Sequence, residues 1–150
     1  MLFRSQCKLF FHVHPYWGRT VGFTETVRAS GKEVHQFSSD PDAIAELARA
    51  IRRVKPRDLP IGVFASGDSV AVRVLSALGD PPKWRVGRDL LVVGYDAYSL
   101  GEELAPPLTS IRQPFEEMGR IAVKKVINLI YGQEETSQQL KPYLVLRGSA

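Results

Sequence analysis

Between Ile61 and Asp96 the sequence alternates between short apolar runs and an amphipathic segment, and this alternation strongly constrains the fold. Ile61 to Ala65 and Asp89 to Tyr95 are apolar runs of strand length, and apolar residues recur at helical spacing between them. Strands that alternate with helices form parallel sheets, because each crossover helix returns the chain to the same end of the sheet. The sequence therefore predicts an α/β fold with an open parallel sheet and helices on both faces.

The same pattern extends toward the N-terminus through one apolar run and a second, weaker strand signal. Leu9 to Val13 and Glu33 to Phe37 supply the first two strands of a four-strand parallel core, and Thr20 to Ala29 has near-helical spacing. The next helix is predicted to begin at Asp40-Pro41, with Asp40 as its N-cap. Its apolar stripe is formed by Ile44, Leu47, Ala48 and Ile51.

The final third of the chain follows a different order. Thr109 to Gln113 is predicted to be extended, Phe115 to Tyr131 to be the longest helix, and Tyr143 to Leu146 to be the last strand.

Composition narrows the functional classes. The chain has 150 residues, 44% of them hydrophobic and 24% charged, which suits one soluble globular domain. The single cysteine, Cys7, cannot form an internal disulfide, and no apolar run reaches membrane-spanning length, so no membrane partner is expected. The net charge is +4, and basic residues are densest between Arg49 and Arg57. We interpret this cluster as cations at the C-terminal end of a helix, where they oppose the helix dipole, rather than as a DNA-binding patch.

Polar and aromatic residues follow the carboxyl ends of the predicted strands, where open parallel sheets bind ligands. Carboxylate and guanidinium groups bind vicinal hydroxyls, and aromatic rings pack on the C–H faces of sugars. The candidate ligand-binding residues are Trp17, Arg19, Phe37, Ser66, Asp68 and Asp96.

Each candidate also has a structural interpretation. Asp68 could cap the following helix, Asp96 could close a turn, Arg19 could pair with Glu25, and Trp17 could belong to the core or an interface. His12 and His14 alternate on one strand, but without nearby cysteines or carboxylates at ligand spacing no metal site is expected. No cofactor is expected either.

Five motifs occur in an order that resembles the effector-binding domain of LacI/GalR-type transcriptional regulators. They are Val63 to Ala71, Leu91 to Asp96, Pro106 to Pro114, Met118-Gly119-Arg120 and Leu146 to Ser149, with a weaker match at Arg19 to Phe23. The resemblance implies that Arg19 grips polar groups of the effector, that Asp96 accepts its hydrogen bonds, and that Phe37 lies beside it. Gly67 stands where the family usually has an asparagine.

The resemblance also implies a domain division. Residues 1–108 and 140–150 are expected to form the C-terminal effector-binding subdomain of a periplasmic-binding-protein-like fold. Residues 109–139 are expected to be a crossover strand and helix that belong to an incomplete N-terminal subdomain. The DNA-binding headpiece is expected to be missing, as in a truncated regulator, and the apolar side of the Phe115–Tyr131 helix to lack its usual cover.

The function implied is effector sensing, for a sugar or small metabolite, and dimerisation within a cytoplasmic DNA-binding regulator. The implied homodimer face contains Val72, Leu75 and Leu104, although Leu75 could instead be core. Operator DNA would be contacted only through the missing headpiece. The alternatives are a periplasmic-type sugar-binding protein, for which no export signal is convincing, and a small α/β enzyme. The sequence has no G-x-S-x-G, G-x-G-x-x-G or P-loop motif, so an enzyme is not expected.

Overall fold

In the computed structural model, strands and helices alternate along the chain as predicted. The residues described are Cys7, 9–14, 17–79 and 82–150, without the side chains of His14 and Trp17. The strands are β1 (Leu9–His14), β2 (Glu33–Ser38), β3 (Ile61–Ala65), β4 (Leu90–Asp96), β5 (Thr109–Arg112) and β6 (Tyr143–Val145). The helices are α1 (Trp17–Ala29), α2 (Pro41–Arg53), α3 (Asp68–Leu78) and α4 (Phe115–Ile130), with short 3-10 turns at Pro56–Asp58 and Ser99–Gly101.

The described strands form one six-stranded sheet in the order β2-β1-β3-β4-β5-β6. The pairings from β2 to β5 are parallel, which confirms the predicted four-strand parallel core, and β6 runs antiparallel to β5. The sheet is larger than that core because β5 pairs with β4 from Val93 and Thr109 onward. The assignment of residues 109–139 to a second subdomain stays a prediction.

Helices cover both faces of this sheet. On one face, the rings of His12 and Phe64 stack on Phe23 of α1, with centroids 5.2 and 4.9 Å away. Side chains alternate between the faces along a strand, so Phe11 and Val13 point to the opposite face. There they pack with α2 and α3 in the hydrophobic core.

Local signals in α2 are confirmed in detail. The side chain of Asp40 caps the helix by accepting a hydrogen bond from the Ala43 amide at 2.9 Å, and all four residues of the predicted apolar stripe are buried. Arg52, in the last turn, donates to the Ala77 carbonyl oxygen at 2.8 Å. This arginine therefore ties α2 to α3, in agreement with a structural interpretation of the basic cluster.

Two helix starts differ from expectation. α1 begins at Trp17 rather than Thr20, and the N-cap of α3 is Gly67. Asp68 is the first residue of α3, and no side chain caps that helix, so the interpretation of Asp68 as a cap is wrong. Its carboxylate is used elsewhere, as described below.

α4 has no buried residue, in agreement with the expectation that its apolar side lacks cover. Leu129 and Ile130 are 58% and 74% exposed. Lys125 of α4 binds the loop that follows the helix, because its ammonium group lies 2.7 Å from the carboxylate of Glu135.

Candidate functional site

Arg19, which follows β1, contacts residues at the carboxyl ends of β3 and β4. It lies in the first turn of α1, just after β1, and its guanidinium group is 3.7 Å from the centroid of the Tyr95 ring. The same group lies 3.7 Å from Oδ1 of Asp96 and donates a hydrogen bond to the Ser66 carbonyl oxygen. Parallel strands end at the same edge of a sheet, and this contact confirms that Arg19 and Asp96 converge there.

Asp96 ends β4 in an unusual backbone conformation. Its φ is 100° and that of Ala97 is 54°, a region that non-glycine residues rarely enter. Gln113 donates a hydrogen bond to Oδ1 of Asp96 at 2.8 Å. The Asp96 side chain is 18% exposed and that of Arg19 is 25% exposed, so both charged groups keep access to solvent. Backbone strain of this kind is concentrated at functional sites.

A groove of about 380 Å³ opens next to this cluster. Tyr95 and Gln113, which contact Arg19 and Asp96 respectively, line this groove, and so do the apolar side chains of Met118 and Ile121 of α4. The edge of the sheet thus combines a cation, a carboxylate, an amide and aromatic surface. These groups can hydrogen-bond adjacent hydroxyls of a small molecule while apolar carbons of that molecule pack nearby.

Asp68 lies behind this edge and is only 1% exposed. Its Oδ1 accepts a hydrogen bond from the Ser110 hydroxyl at 2.6 Å, and its Oδ2 accepts one from the Tyr98 amide at 2.8 Å. Burial raises the pKa of the Asp68 carboxyl, the two hydrogen bonds oppose that effect, nearby Asp96 adds to it, and Arg147 counteracts it. Both carboxylate oxygens already have partners within the protein, and direct ligand contact by Asp68 stays a prediction.

Neither Phe37 nor Ser66 joins the charged cluster through its side chain. Phe37 is in register with Val13, and its ring packs 6.2 Å from that of Phe11, against the core. Ser66 contributes its carbonyl oxygen to Arg19, and its own side chain is fully buried. Trp17 begins α1, but its side chain lies outside the described part of the structure. Ligand contacts by these three residues stay predictions.

Tyr95, Gln113 and Ser110 belong to the site but were not among the predicted ligand residues. Gln113 follows β5, and β5 was expected to serve a second subdomain rather than the same sheet edge. Gln113 precedes Pro114 directly after an extended segment, and that position was the signal that could have revealed it. Ser110 contacts Asp68 from 42 positions away in sequence, and no local pattern encodes such a contact.

The predicted dimer residues have mixed surroundings. Leu75 and Leu104 are partly buried and pack against the core, while Val72 is partly exposed on α3. The core interpretation of Leu75 is therefore supported in part, and the dimer face stays a prediction.

Within the described ranges, no three His, Cys, Asp or Glu side chains are grouped so that they could hold a metal ion. In the same part of the chain, no helix combines the length and the apolar character that crossing a membrane requires.

Comparison with known families places this geometry in context. The sequence profile of the periplasmic binding protein-like domain matches residues 12–150. The ribose operon repressor of Escherichia coli K12 is 40% identical over 93 residues, which cover 61% of this chain and 28% of the repressor. The transcriptional regulator CelR of Thermobifida fusca is 33% identical over 143 residues, covering 87% of this chain and 40% of CelR.

Solved structures agree with these sequence relatives. A LacI family transcriptional regulator from Arthrobacter sp. FB24 in complex with lactose superposes with a TM-score of 0.80 at 29% identity, covering 99% of this chain and 58% of that one. A CelR–cellobiose complex gives a TM-score of 0.72 at 27% identity, covering 98% and 48%. The chain thus spans well under half the length of the curated relatives, 28% and 40% for the two described above.

Proposed function

Because this chain belongs to the periplasmic binding protein-like domain family, as an effector-binding domain of the LacI type, we propose that it senses a sugar or sugar-like metabolite for a transcriptional regulator. The ligand would bind at the carboxyl edge of the sheet. Arg19 and Asp96 would hold its hydroxyl groups.

The observation that carries this proposal is the cluster of Arg19, Tyr95 and Asp96. A carboxylate accepts hydrogen bonds and a guanidinium group donates them, so the pair can bind two neighbouring hydroxyls in a defined orientation. Tyr95 already supports one side of the guanidinium group, which leaves fewer orientations open to Arg19 before a ligand arrives. Such preorganisation lowers the entropic cost of binding.

The relatives support the ligand class. One relative is named as a ribose operon repressor. The structures of two others are complexes with cellobiose and with lactose. The relatives are repressors and regulators, which agrees with the prediction of a sensor rather than an enzyme.

In the full-length protein we infer a cytoplasmic homodimer that reaches operator DNA through a helix-turn-helix headpiece. Sequence-specific readout requires an element that enters a groove and presents side chains to base edges. The ligand would act by binding one of two conformations more tightly, since a ligand with equal affinity for both shifts nothing.

The proposal is tested by thermal unfolding and calorimetry of the full-length protein with ribose, cellobiose and lactose. A specific sugar should raise the unfolding temperature, because a ligand at about 100 times its Kd stabilises the folded state by about 2.7 kcal/mol. Arg19→Ala should abolish that increase at the same sugar concentration. A sugar response that is identical in the wild type and in Arg19→Ala would place the ligand elsewhere, and no response to any of the three would contradict a sugar of these types.

A gel-shift titration with the operator duplex and a scrambled duplex tests the regulatory half of the proposal. The full-length protein should prefer the operator at near-physiological salt, and the effective sugar should change that affinity. Equal affinity for both duplexes would mean that the protein contacts only phosphates and reads no bases, which would contradict the proposal that it is a sequence-specific regulator.

A further inference from the structure

The backbone at Asp96 and Ala97 is held in place by hydrogen bonds that come from elsewhere in the fold. Two consecutive non-glycine residues with positive φ are unfavourable by themselves, so surrounding contacts must select this conformation. The conformation matters because it determines where the Asp96 carboxylate points. In the structure that carboxylate points toward Arg19 and Gln113.

Ser110 and Asp68 supply the holding contacts. The Ser110 hydroxyl accepts a hydrogen bond from the Ala97 amide at 3.1 Å and donates one to Asp68. The second oxygen of Asp68 accepts from the Tyr98 amide. The two amides that follow Asp96 are therefore both bound by one pair of buried side chains. Ser110 and Asp68 are 0% and 1% exposed, so water does not compete for these hydrogen bonds.

The packing leaves this pair little freedom to move. A Cβ atom on Gly94 would overlap Oδ1 of Asp68, so the absence of a side chain at Gly94 makes room for the carboxylate. A Cβ on Gly101 would lie 3.6 Å from the other oxygen. Asp68 therefore occupies a slot bounded by β4 and by the loop that follows Asp96.

We propose that Asp68 and Ser110 are positioning residues that hold the turn after β4 so that Asp96 points at the ligand. Neither side chain touches the ligand in this proposal, which rests on the proposed function for the ligand itself. The pair also joins three elements, because Asp68 begins α3, Ser110 lies in β5 and the turn follows β4.

Ser110→Ala is the direct test, and Ser149→Ala is its matched control. Ser149 is equally buried, donates to the Val92 carbonyl oxygen at 2.6 Å and accepts from the Thr109 amide at 2.8 Å. Both substitutions remove a fully buried hydroxyl that donates one hydrogen bond and accepts another. Only Ser110 contacts the turn at Ala97.

The first measurement needs no ligand. Hydrogen exchange of the full-length protein should be faster at the Ala97 and Tyr98 amides in Ser110→Ala, and unchanged there in Ser149→Ala. A general loss of stability would instead accelerate exchange across the sheet in both variants. Unchanged exchange at these two amides in Ser110→Ala would overturn the proposal, whatever the ligand proves to be.

The second measurement uses calorimetry with whichever of the three sugars gives the largest thermal shift. We expect Ser110→Ala to weaken binding about 5- to 30-fold, the factor for one to two ordinary hydrogen bonds. In an Asp96→Ala background the same change should have little further effect, because the residue being positioned is gone. Equal weakening by Ser110→Ala and Ser149→Ala, or full additivity with Asp96→Ala, would overturn the positioning role.

Asp68→Asn provides a variant that keeps the shape of the site if Ser110→Ala does not fold. The amide oxygen can still accept from Tyr98 and the amide nitrogen can donate to Ser110, so exchange at Tyr98 should remain slow. Fast exchange at Tyr98 in a folded Asp68→Asn variant would show that the turn is not held through this acceptor. If no sugar binds any variant, the proposed function fails while the exchange experiment still decides the positioning of the turn.

Discussion

Replacing Asp96 with glycine should separate the ligand-binding role of this residue from its structural role. The substitution removes the Gln113 hydrogen bond and an ion pair to Arg19 that is partly exposed to solvent. Those losses cost about 1.5–3 kcal/mol for the hydrogen bond to the carboxylate and about 0.2–1 kcal/mol for the ion pair. Glycine adds about 0.5–1 kcal/mol of backbone entropy cost.

The backbone strain at Asp96 works in the opposite direction. A residue with a side chain at φ 100° bears a cost of about 1–3 kcal/mol, and glycine removes it. The relief of strain offsets about half of these losses, so the free energy of unfolding should fall by about 1–2 kcal/mol. Asp96→Ala keeps the strain while losing the same contacts. It should therefore be less stable than Asp96→Gly by about 1 kcal/mol.

Both variants should lose ligand affinity to a similar extent. A ligand hydroxyl that loses a charged acceptor loses about 1.5–3 kcal/mol, which corresponds to about a 10- to 150-fold increase in Kd. Urea unfolding monitored by circular dichroism gives the stabilities, and calorimetry with the effective sugar gives the affinities. Wild-type affinity in Asp96→Gly would refute the assignment of Asp96 to the ligand site. A loss of stability above about 3 kcal/mol in Asp96→Gly would show that its main role is structural.

Three further predictions concern the core, pH dependence and association. Leu47→Ala should lower the free energy of unfolding by about 2–5 kcal/mol in urea denaturation, because Leu47 is fully buried, and a loss below about 1 kcal/mol would contradict its place in the core. Burial raises the pKa of Asp68 above its ordinary 3.8, so the folded state binds the carboxyl proton more tightly than the unfolded state does. The stabilisation from this proton is therefore lost as the pH rises from 3.8 through the pKa of Asp68 in the folded state. Asp68→Asn should therefore lose less stability than the wild type over that pH interval, and identical pH profiles would exclude the shift. Val72→Glu should weaken self-association of the full-length protein in sedimentation, whereas an unchanged dimer would exclude α3 from the interface.

The sequence was sufficient to predict the sheet because its buried strands are continuous apolar runs. Leu90 and Val92 are both fully buried, and strands covered on both faces have this composition. The α2 helix was equally predictable, since its cap at Asp40 and its apolar stripe are local signals. The convergence of Arg19 and Asp96 followed from topology alone, because parallel strands end at one edge.

The details that orient the site were not predictable in the same way. The contact between Ser110 and Asp68 joins β5 to α3, and it depends on β5 being a neighbour of β4 in the same sheet. The left-handed conformation of Asp96 is likewise selected by partners distant in sequence rather than by its neighbours. Periodicity identifies which residues are buried, but it carries no information about which buried polar groups meet.

Asp68 illustrates this difference, because its position in the sequence suits both a helix cap and a ligand contact. Aspartate is a common N-cap at the start of a helix, and an aspartate at the carboxyl edge of a parallel sheet is a common ligand contact. In the structure the Asp68 side chain does not cap α3 and lies in the space left by Gly94. The informative pair of residues is therefore Asp68 and Gly94. A carboxylate opposite a glycine in the neighbouring strand can be buried only if the protein supplies its hydrogen-bond donors, and here the donors come from the turn that orients Asp96.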